Sequence, residues 1–285
     1  MKKFVALLLA VLMVASLCAC GQKDTQTDTQ TGSDIKTVTA GKLTMSTNAQ
    51  FPPYESVADD GKGYEGTGFE GIDIEIAYAL AQKLGLELVV DDMDFDSALS
   101  AVQTGKSDIV AAGVTVTPER QNTMCFTDSY ANGVQVVIVK EGSDIKSIDD
   151  LEGKKIGTQR GTTGYSYCTD DYGEDSVVAF DDGATAVQNL LAGKVDCVVI
   201  DKAPAQEYVK ANAGLTILDT EYANENYAIG MAKDNTALQE ALNKALAELK
   251  ADGTIQSIID KYIPSRVIAK FIACKGRPTA ALFAV

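Results

Sequence analysis

A short segment around Arg120 has the residue types that bind an anion. Thr117 is a preferred N-cap residue and Pro118 suits the first position of a helix, so Arg120 is predicted to lie in the first helical turn. A planar guanidinium there can receive a carboxylate through two parallel hydrogen bonds. The same side chain could equally pair with a surface carboxylate, and this segment alone does not separate the two interpretations.

A glycine-rich turn between Gln159 and Gly164 offers a second set of donors. It follows a predicted strand and includes Thr162 and Thr163, where a helix is predicted to begin. Backbone N–H groups at the start of a helix bind anions. The turn lacks the Lys-Ser/Thr of a nucleotide-binding P-loop, so a carboxylate suits it better than a nucleotide. A tight turn without any ligand is the alternative.

One acid and two aromatic residues stand at or just beyond the ends of predicted strands. Asp201 can cap the helix that follows it, or it can accept hydrogen bonds from an ammonium group. Phe51 and Phe95 can belong to the core or form apolar walls around a ligand. Together with the donors above, these residues suit a zwitterionic α-amino acid, which needs cationic and N–H partners for its carboxylate and an anion for its ammonium.

The composition excludes several other functions. The chain of 285 residues contains no histidine, which rules out Ser-His-Asp and Cys-His catalysis and every histidine metal site. A formal net charge of −15 disfavours nucleic acid as a partner. No two cysteines have CxxC spacing, so no zinc or redox site and no cofactor is predicted. Cys125 and Cys197 lie in apolar runs and are predicted to be small buried residues rather than a bridge.

Residues 1–19 have the pattern of a secretory signal. Two lysines precede the apolar run Phe4–Leu17, which is too short to span a bilayer as a stable helix. The run continues as Leu17-Cys18-Ala19-Cys20, a lipobox-like arrangement that predicts lipid attachment at Cys20. Ordinary secretion, with Cys20 as a free thiol, is the alternative.

Two further segments flank the predicted globular body. Residues 20–36 are rich in Thr, Gln, Asp and Gly and are predicted to form a flexible tether, because they cannot bury enough apolar surface to order themselves. Residues 265–285 carry four basic and no acidic side chains, which reverses the charge bias of the body. We interpret them as an atypical tail.

Strand-like and helix-like segments alternate through the body. An apolar helix, a Gly-Lys-x-Asp turn and a β-branched strand occur twice, in residues 98–113 and 186–201. The alternation predicts an α/β fold with mostly parallel sheets, and the repeat predicts two lobes of like topology. Ligands of such sheets bind outside the carboxyl ends of the strands, so Gly113 and Asp201 would face each other across a cleft. The predicted strands are 43–47, 86–93, 109–112, 134–140, 155–158, 177–180 and 197–201, and the predicted helices are 72–84, 97–103, 184–192 and 203–211.

Several stretches in a fixed order carry a family likeness. They are Phe51-Pro52-Pro53-Tyr54-Glu55, Gly71-Ile72-Asp73-Ile74-Glu75-Ile76-Ala77, the run from Gly113 to Arg120, Phe126-Thr127-Asp128-Ser129-Tyr130, the run from Gly157 to Gly164, Gly193-Lys194-Val195-Asp196 with Asp201, and Asp252-Gly253 before Lys261-Tyr262. With these stretches, residues 40–264 resemble the extracytoplasmic amino-acid-binding proteins of ABC importers.

The resemblance implies a two-lobed clamshell of the type II periplasmic-binding-protein topology, with the ligand cleft between the lobes. It places residues 37–130 plus 226–264 in the first lobe and residues 131–225 in the second. It also implies a monomer that closes on a free amino acid and delivers it to an ABC permease. With the lipid at Cys20, the protein would be anchored to the outer side of the cell membrane.

Residue roles follow from the resemblance as well. Arg120 would hold the ligand carboxylate, helped by Thr115 and by the backbone at Thr162 and Thr163. The Gly113 carbonyl and the Asp201 carboxylate would hold the ammonium. The residues expected at the ligand side chain are Phe51, Phe95, Asn48 and Gln159.

The nature of the ligand and one rival function remain open at this point. Asn48 stands where binders of basic amino acids tend to have aspartate, which favours an uncharged polar ligand over a basic one. The rival is a clamshell enzyme, such as a dehydratase that acts on a small carboxylate. An acid such as Glu55, Asp128 or Asp201 would then need a raised pKa.

Overall fold

A computed structural model describes residues 35–264. The predicted signal, the predicted lipid site at Cys20 and the tail 265–285 lie outside the described residues, as does all of the predicted tether except Ile35 and Lys36. Ile35 packs against the core of the first lobe, so the tether prediction is wrong for this residue. No helix within residues 35–264 is long and apolar enough to cross a membrane.

Each predicted strand and helix is present in the structure, together with additional strands between them. The strands are β1 (Lys42–Thr47), β2 (Gln50–Phe51), β3 (Glu55–Val57), β4 (Phe69–Glu70), β5 (Glu87–Asp92), β6 (Ile109–Val110), β7 (Met124–Phe126), β8 (Ala131–Lys140), β9 (Ile156–Gln159), β10 (Val177–Phe180), β11 (Cys197–Asp201), β12 (Leu215–Ile217), β13 (Ala223–Tyr227) and β14 (Gly230–Ala232). The α-helices are α1 (Ile72–Leu84), α2 (Phe95–Gln103), α3 (Pro118–Thr123), α4 (Thr163–Tyr172), α5 (Gly183–Leu191), α6 (Lys202–Ala211), α7 (Thr236–Ala251) and α8 (Thr254–Tyr262).

Two larger sheets define two lobes. In the first, the strand order is β5-β1-β6-β14-β7, and its core includes Leu43, Met45 and Ile109 with the apolar face of α1. In the second, the order is β10-β9-β11-β8-β12, with β13 also paired to β8. Its core on one face includes Ile138, Val187 and Leu190. The two-lobed α/β fold is therefore confirmed, whereas the lobe limits stay a prediction.

The repeated Gly-Lys-x-Asp turn performs the same structural task in both lobes. Asp108 accepts a hydrogen bond from the backbone N–H of Thr44 at 2.7 Å, which fixes the turn to β1. Asp196 accepts one from the N–H of Lys155 at 2.8 Å, directly before β9. Each turn thus fastens a helix–strand unit to the second strand of its sheet, and the internal repeat reflects a shared topology.

The prediction of mostly parallel sheets is wrong. In the part of the chain that the structure describes, β1 is parallel to β5 and β6, and β9 is parallel to β10 and β11. The pairings of β7, β8, β12, β13 and β14 are antiparallel. Crossings between the lobes account for part of this difference, because β8 and β14 enter their sheets from the opposite lobe instead of through a helix on the same sheet. β13 pairs with β8 and is the strand through which the chain leaves the second sheet.

The cysteine prediction agrees with the structure in one respect and differs in another. Cys125, Cys168 and Cys197 are free thiols, so neither Cys125 nor Cys197 forms a bridge within the described residues. Cys197 is buried, but Cys125 is only half-buried. Burial raises the pKa of Cys168 and of Cys197 to about 12, so both thiols stay protonated and unreactive.

Two adjacent antiparallel strands carry the chain between the lobes. At the start of β8, Ala131 pairs with Tyr227 and Gly133 pairs with Glu225 of β13. The Tyr227 ring lies directly against Gly133, and a Cβ at this glycine would overlap the ring and its hydroxyl. Tyr227 is almost fully buried, so it has little room to move aside.

We expect Gly133→Ala to lower the free energy of unfolding by about 1–3 kcal/mol, because it overpacks a filled site. Urea unfolding monitored by circular dichroism measures the change. Gly157→Ala is the matched control, since its added methyl would lie 3.3 Å from its nearest neighbours instead of 2.4 Å and should cost less. An equal or smaller loss for Gly133→Ala than for the control would contradict the tight fit.

Candidate functional site

A cavity that is partly open to solvent lies between the two lobes. All ten residues that the sequence analysis placed around a ligand line it, namely Asn48, Phe51, Phe95, Gly113, Thr115, Arg120, Gln159, Thr162, Thr163 and Asp201. Their contact with a ligand remains a prediction. The sequence analysis did not place six further lining residues there, namely Glu55, Ala112, Gln135, Val199, Ile200 and Tyr227.

Arg120 lies where α3 begins, as predicted. Thr117 caps this helix, and its hydroxyl accepts a hydrogen bond from the Arg120 N–H at 3.1 Å. The guanidinium donates to the carbonyls of Thr115 at 2.9 Å and Gly161 at 3.0 Å, and it lies 5.4 Å from the centre of the Phe95 ring. None of the ion pairs found among residues 35–264 includes Arg120. Burial lowers the pKa of this guanidinium, but an arginine side chain keeps its charge.

The glycine-rich turn of the second lobe opens a helix, as expected. Thr162 is the N-cap of α4, and its hydroxyl accepts from the Tyr165 N–H at 3.2 Å. Thr163 is the first helical residue, and a helix leaves the N–H groups of its first turn without intrahelical partners. Gly161 has a φ of +72°, and a Cβ there would overlap the Asp96 carboxylate of the first lobe. Only glycine fits this turn when the lobes are in contact.

Asp201 performs the capping role that was one of its two interpretations. It ends β11, and its carboxylate accepts hydrogen bonds from the N–H groups of Ala203 at 2.9 Å and Val134 at 2.8 Å. The residue is 1% exposed. Burial raises the pKa of Asp201 to about 6, although these two hydrogen bonds oppose the shift. A desolvated carboxylate in the cavity wall is also suited to a cationic ligand group.

A pair of buried carboxyl groups lies beneath Gly113. Asp73 accepts hydrogen bonds from the Gly113 N–H at 2.8 Å and from the Tyr130 hydroxyl at 2.6 Å. Glu55 is fully buried, and neither of its carboxyl oxygens has a donor partner in the described structure. Burial, and then the nearby Asp73 charge, raise the pKa of Glu55 well above its usual value. Burial also raises the pKa of Asp73 to about 6.

Direct hydrogen bonds join the lobes across the cavity. The Gln159 amide of the second lobe donates to the Asn48 side-chain oxygen of the first at 2.9 Å, and both residues are buried. The Asn48 amide in turn donates to the Met93 carbonyl at 3.0 Å. With the bond from Arg120 to Gly161, these contacts show that the lobes are closed against each other in this structure.

The raised pKa of Asp73 makes its contribution to stability depend on pH. Its folded pKa of about 6 exceeds the usual 3.8, so the folded state binds this proton more tightly than the unfolded state. The resulting stabilisation is complete below pH 3.8 and is lost as the pH rises through 6. We expect the stability difference between wild type and Asp73→Asn to shrink, by up to about 3 kcal/mol, between pH 4 and pH 7.5.

Urea unfolding of both proteins across this pH range measures the effect. Asp60→Asn is the control, because Asp60 is exposed and hydrogen bonds from the Gly63 and Lys62 N–H groups lower its pKa. Its contribution should change with pH in the opposite sense. A difference between wild type and Asp73→Asn that stays constant with pH would contradict the raised pKa.

Comparisons with known proteins match nearly all of this body. The sequence profile of the bacterial extracellular solute-binding proteins, family 3, matches residues 43–265. The ABC transporter arginine-binding protein 1 of Escherichia coli (strain K12) is 36% identical over 230 residues, which cover 79% of this chain and 92% of the relative.

Solved structures show the same similarity. An ancestral arginine-binding protein bound to arginine is 42% identical, with a TM-score of 0.72 over 78% of this chain and 98% of that one. A structure described as an ancestral arginine-binding protein bound to glutamine is 40% identical, with a TM-score of 0.73 over 79% of this chain and 99% of that one.

Proposed function

We propose a ligand and a binding mode for this chain from the premise that it belongs to the bacterial extracellular solute-binding proteins, family 3. As a member of this family it is an extracytoplasmic amino-acid receptor of ABC transport, and it is not an enzyme. The dehydratase alternative is therefore set aside.

The proposed binding mode rests on one charged side chain, Arg120, that has no charged partner among the described residues. Arg120 lies in the cavity wall, its two hydrogen bonds go to backbone carbonyls, and no described carboxylate forms an ion pair with it. A partly desolvated guanidinium gains most from a carboxylate that it can bind bidentately. We therefore assign the ligand carboxylate to Arg120, with Thr115 and the backbone at Thr162 and Thr163 as further partners.

Asp201 and the Gly113 carbonyl complete the site for the amino-acid backbone. Asp201 lies in the same cavity and on the opposite lobe from Arg120. Its carboxylate is ionised above a pH of about 6 and can then accept hydrogen bonds from an ammonium. Gly113 is held in place by its N–H bond to Asp73. The opposite charges on the two lobes match a zwitterion that bridges them.

Two features of the cavity bear on the ligand side chain. Asn48 and Gln159 are neutral amides at the predicted side-chain end, and they favour an uncharged polar ligand such as glutamine. Glu55 is a buried carboxyl group that lines the cavity without a donor partner, and it favours a cationic ligand. The Asn48 oxygen can accept a hydrogen bond from a cation equally well, and a cationic group beside Glu55 would stabilise the ionised carboxylate that burial and the Asp73 charge disfavour.

We therefore place a cationic amino acid, with arginine first, ahead of the uncharged ligand that Asn48 alone predicts. The relatives named for arginine support this order. The ancestral protein that is described as bound to glutamine keeps the uncharged ligand as the second candidate. Phe51 and Phe95 would flank the side chain in either case.

The delivery step and the membrane anchor complete the proposal. A ligand that touches both lobes stabilises the closed state to the extent that it prefers that state over the open one. A permease that recognises the closed form would then receive loaded protein. We further propose that the protein acts as a monomer and that lipid on Cys20 holds it at the membrane, which the lipobox-like sequence supports.

The first test is thermal unfolding of the protein against each of the twenty amino acids. A ligand that binds only the folded state adds RT ln(1 + [L]/Kd) to stability, about 2.7 kcal/mol at a hundredfold excess over Kd. We expect the largest rise in unfolding temperature with arginine. With Arg120→Ala, we expect the affinity to fall about 30-fold to several thousandfold, because the ligand carboxylate stays desolvated and poorly paired.

Arg160→Ala is the matched control for this measurement. Arg160 is in the same turn as Gly161 but is exposed, and its pairing with Asp181 at 3.8 Å is weak. Its loss should leave the affinity unchanged. Normal binding by Arg120→Ala would refute the assigned carboxylate site, and no shift with any amino acid would refute the proposed ligand class.

A second variant separates the two candidate ligands. We expect Glu55→Gln to weaken arginine binding at least about 30-fold, because the variant has no carboxyl group that can ionise and pair with a cationic ligand group, while glutamine binding changes little. Isothermal titration calorimetry with both ligands measures the difference. Glu75→Gln is the control, since Glu75 is also buried in the first lobe but bonds to Lys261 and Tyr262 away from the cavity. Equal losses for both ligands, or a wild type that prefers glutamine, would favour the uncharged ligand.

A further inference from the structure

One hydrogen bond joins the two lobes outside the ligand cavity. The Tyr208 hydroxyl, on α6 of the second lobe, donates to the backbone carbonyl of Gln50 at 2.8 Å. Gln50 belongs to β2, which pairs with β3 in the small sheet of the first lobe. The two residues are 158 positions apart in sequence, so this bond is a tertiary contact that exists only when the lobes meet.

The second lobe holds the Tyr208 ring in a fitted position. The ring is part of the core that includes Ile200, and only 9% of the residue is exposed. A Cβ on Gly183, where α5 begins, would lie 2.5 Å from the Ile200 side chain and 3.1 Å from the Tyr208 hydroxyl. The absence of a side chain at Gly183 therefore leaves the space through which the hydroxyl reaches β2. Burial, followed by the charges of Asp182 and Glu55, raises the pKa of Tyr208, so the hydroxyl remains a donor.

An apolar contact accompanies the hydrogen bond. Phe51, the residue after Gln50, packs against the core of the first lobe and against the core of the second. Strand β2 of the first lobe therefore packs against helices α5 and α6 of the second lobe. The hydrogen bond from the Tyr208 hydroxyl to Gln50, next to this apolar contact, fixes how closely the two lobes approach each other.

Neither Tyr208 nor Gln50 lines the cavity. This distinguishes their bond from the other direct contacts between lobes. The bonds from Arg120 to Gly161 and from Gln159 to Asn48 involve side chains that the proposed function assigns to the ligand. An amino acid in the cavity can change those two bonds but has no contact with the third.

We propose that Tyr208 is a positioning residue that latches the closed lobes, and that its bond to Gln50 sets the affinity for every ligand by one common factor. The inference rests on the proposed function, in which ligand binding and lobe closure are coupled. In the open state, the Tyr208 hydroxyl and the Gln50 carbonyl form their hydrogen bonds with water instead. The bond therefore favours the closed state without a direct contribution to the ligand's own contacts.

The expected change in affinity follows from the fraction of molecules that are in the closed state. The apparent Kd equals the intrinsic Kd divided by the fraction of molecules in the binding-competent state. A typical hydrogen bond, once its exchange with water is counted, changes such an equilibrium about two- to twelvefold. Removal of the Tyr208 hydroxyl should raise the apparent Kd by such a factor, and the factor should be the same for arginine and for glutamine.

Tyr208→Phe tests the latch, with affinities and dissociation rates measured for two ligands of different charge. We expect the Kd to rise about two- to twelvefold for both and the dissociation rate to rise in proportion. Tyr172→Phe is the matched control. The Tyr172 hydroxyl also donates to a backbone carbonyl, that of Ile148 at 3.0 Å, but this bond lies wholly within the second lobe. Its loss should lower the unfolding temperature slightly and leave the Kd unchanged.

Three outcomes would overturn the proposal. An unchanged Kd in Tyr208→Phe would show that the bond does not govern closure. A loss confined to one ligand would make Tyr208 a ligand contact instead of a latch. A fall in the unfolding temperature of the ligand-free protein like that of Tyr172→Phe, with no change in dissociation rate, would make the bond a purely structural one.

Small-angle X-ray scattering separates failure of the latch from failure of the proposed function. If the wild type binds no amino acid, the ligand assignment fails, but the ligand-free radii of gyration still test the latch. The proposal then requires a more compact ligand-free wild type than Tyr208→Phe. Equal scattering profiles in that case would overturn the latch itself.

Discussion

The antiparallel pairing of β8 with β13 is the constraint on which the ligand cleft depends. This pair carries the chain between the lobes, and it also anchors residues of the cavity wall. Asp201 accepts from the Val134 N–H, and the Gln135 amide donates to the Glu225 carboxylate at 2.9 Å. An isolated bridge joins Thr115 of the first lobe to Tyr227. A shift in the pairing of these strands would therefore displace the walls of the cavity on both sides at once.

The sequence predicted which residues line the cavity better than it predicted how the strands pair. Residues at the carboxyl ends of strands meet at one edge of a sheet, so Gly113 and Asp201 could be placed from spacing alone. The direction of β8 was missed because this strand enters its sheet from the other lobe, although residues 134–140 were predicted as a strand. The strands β2, β4 and β14 were missed because two or three residues are too few for a periodic pattern. Glu55 was not placed with the ligand-facing residues, because its burial comes from a small sheet that only the folded chain forms.

The charged groups of the cavity lie apart from each other and do not form direct ion pairs. Arg120 and Asp201 lie on opposite lobes, each is held by backbone groups, and each lacks an oppositely charged partner among the described residues. Two such groups would lose much of their effect on a ligand if they paired with each other. Backbone carbonyls and N–H groups hold them in place at a smaller electrostatic cost. Glu55 and Asp73 extend this arrangement beneath Gly113 with two carboxyl groups whose pKa values burial raises.

The interleaving of the two lobes along the chain has a consequence for the order in which they can fold. All strands of the second sheet come from residues 131–227, a single continuous segment. The first sheet needs β14, which lies between β6 and β7 and is supplied only by Gly230–Ala232, after the whole second lobe has been made. A chain that emerges from its N-terminus can therefore complete the second lobe while the first still lacks an internal strand. The first lobe therefore depends on contacts between residues that are far apart in the sequence, and such contacts are slow to form. The edge of β6 stays exposed until the C-terminal part of the body, which contains β14, has been synthesised.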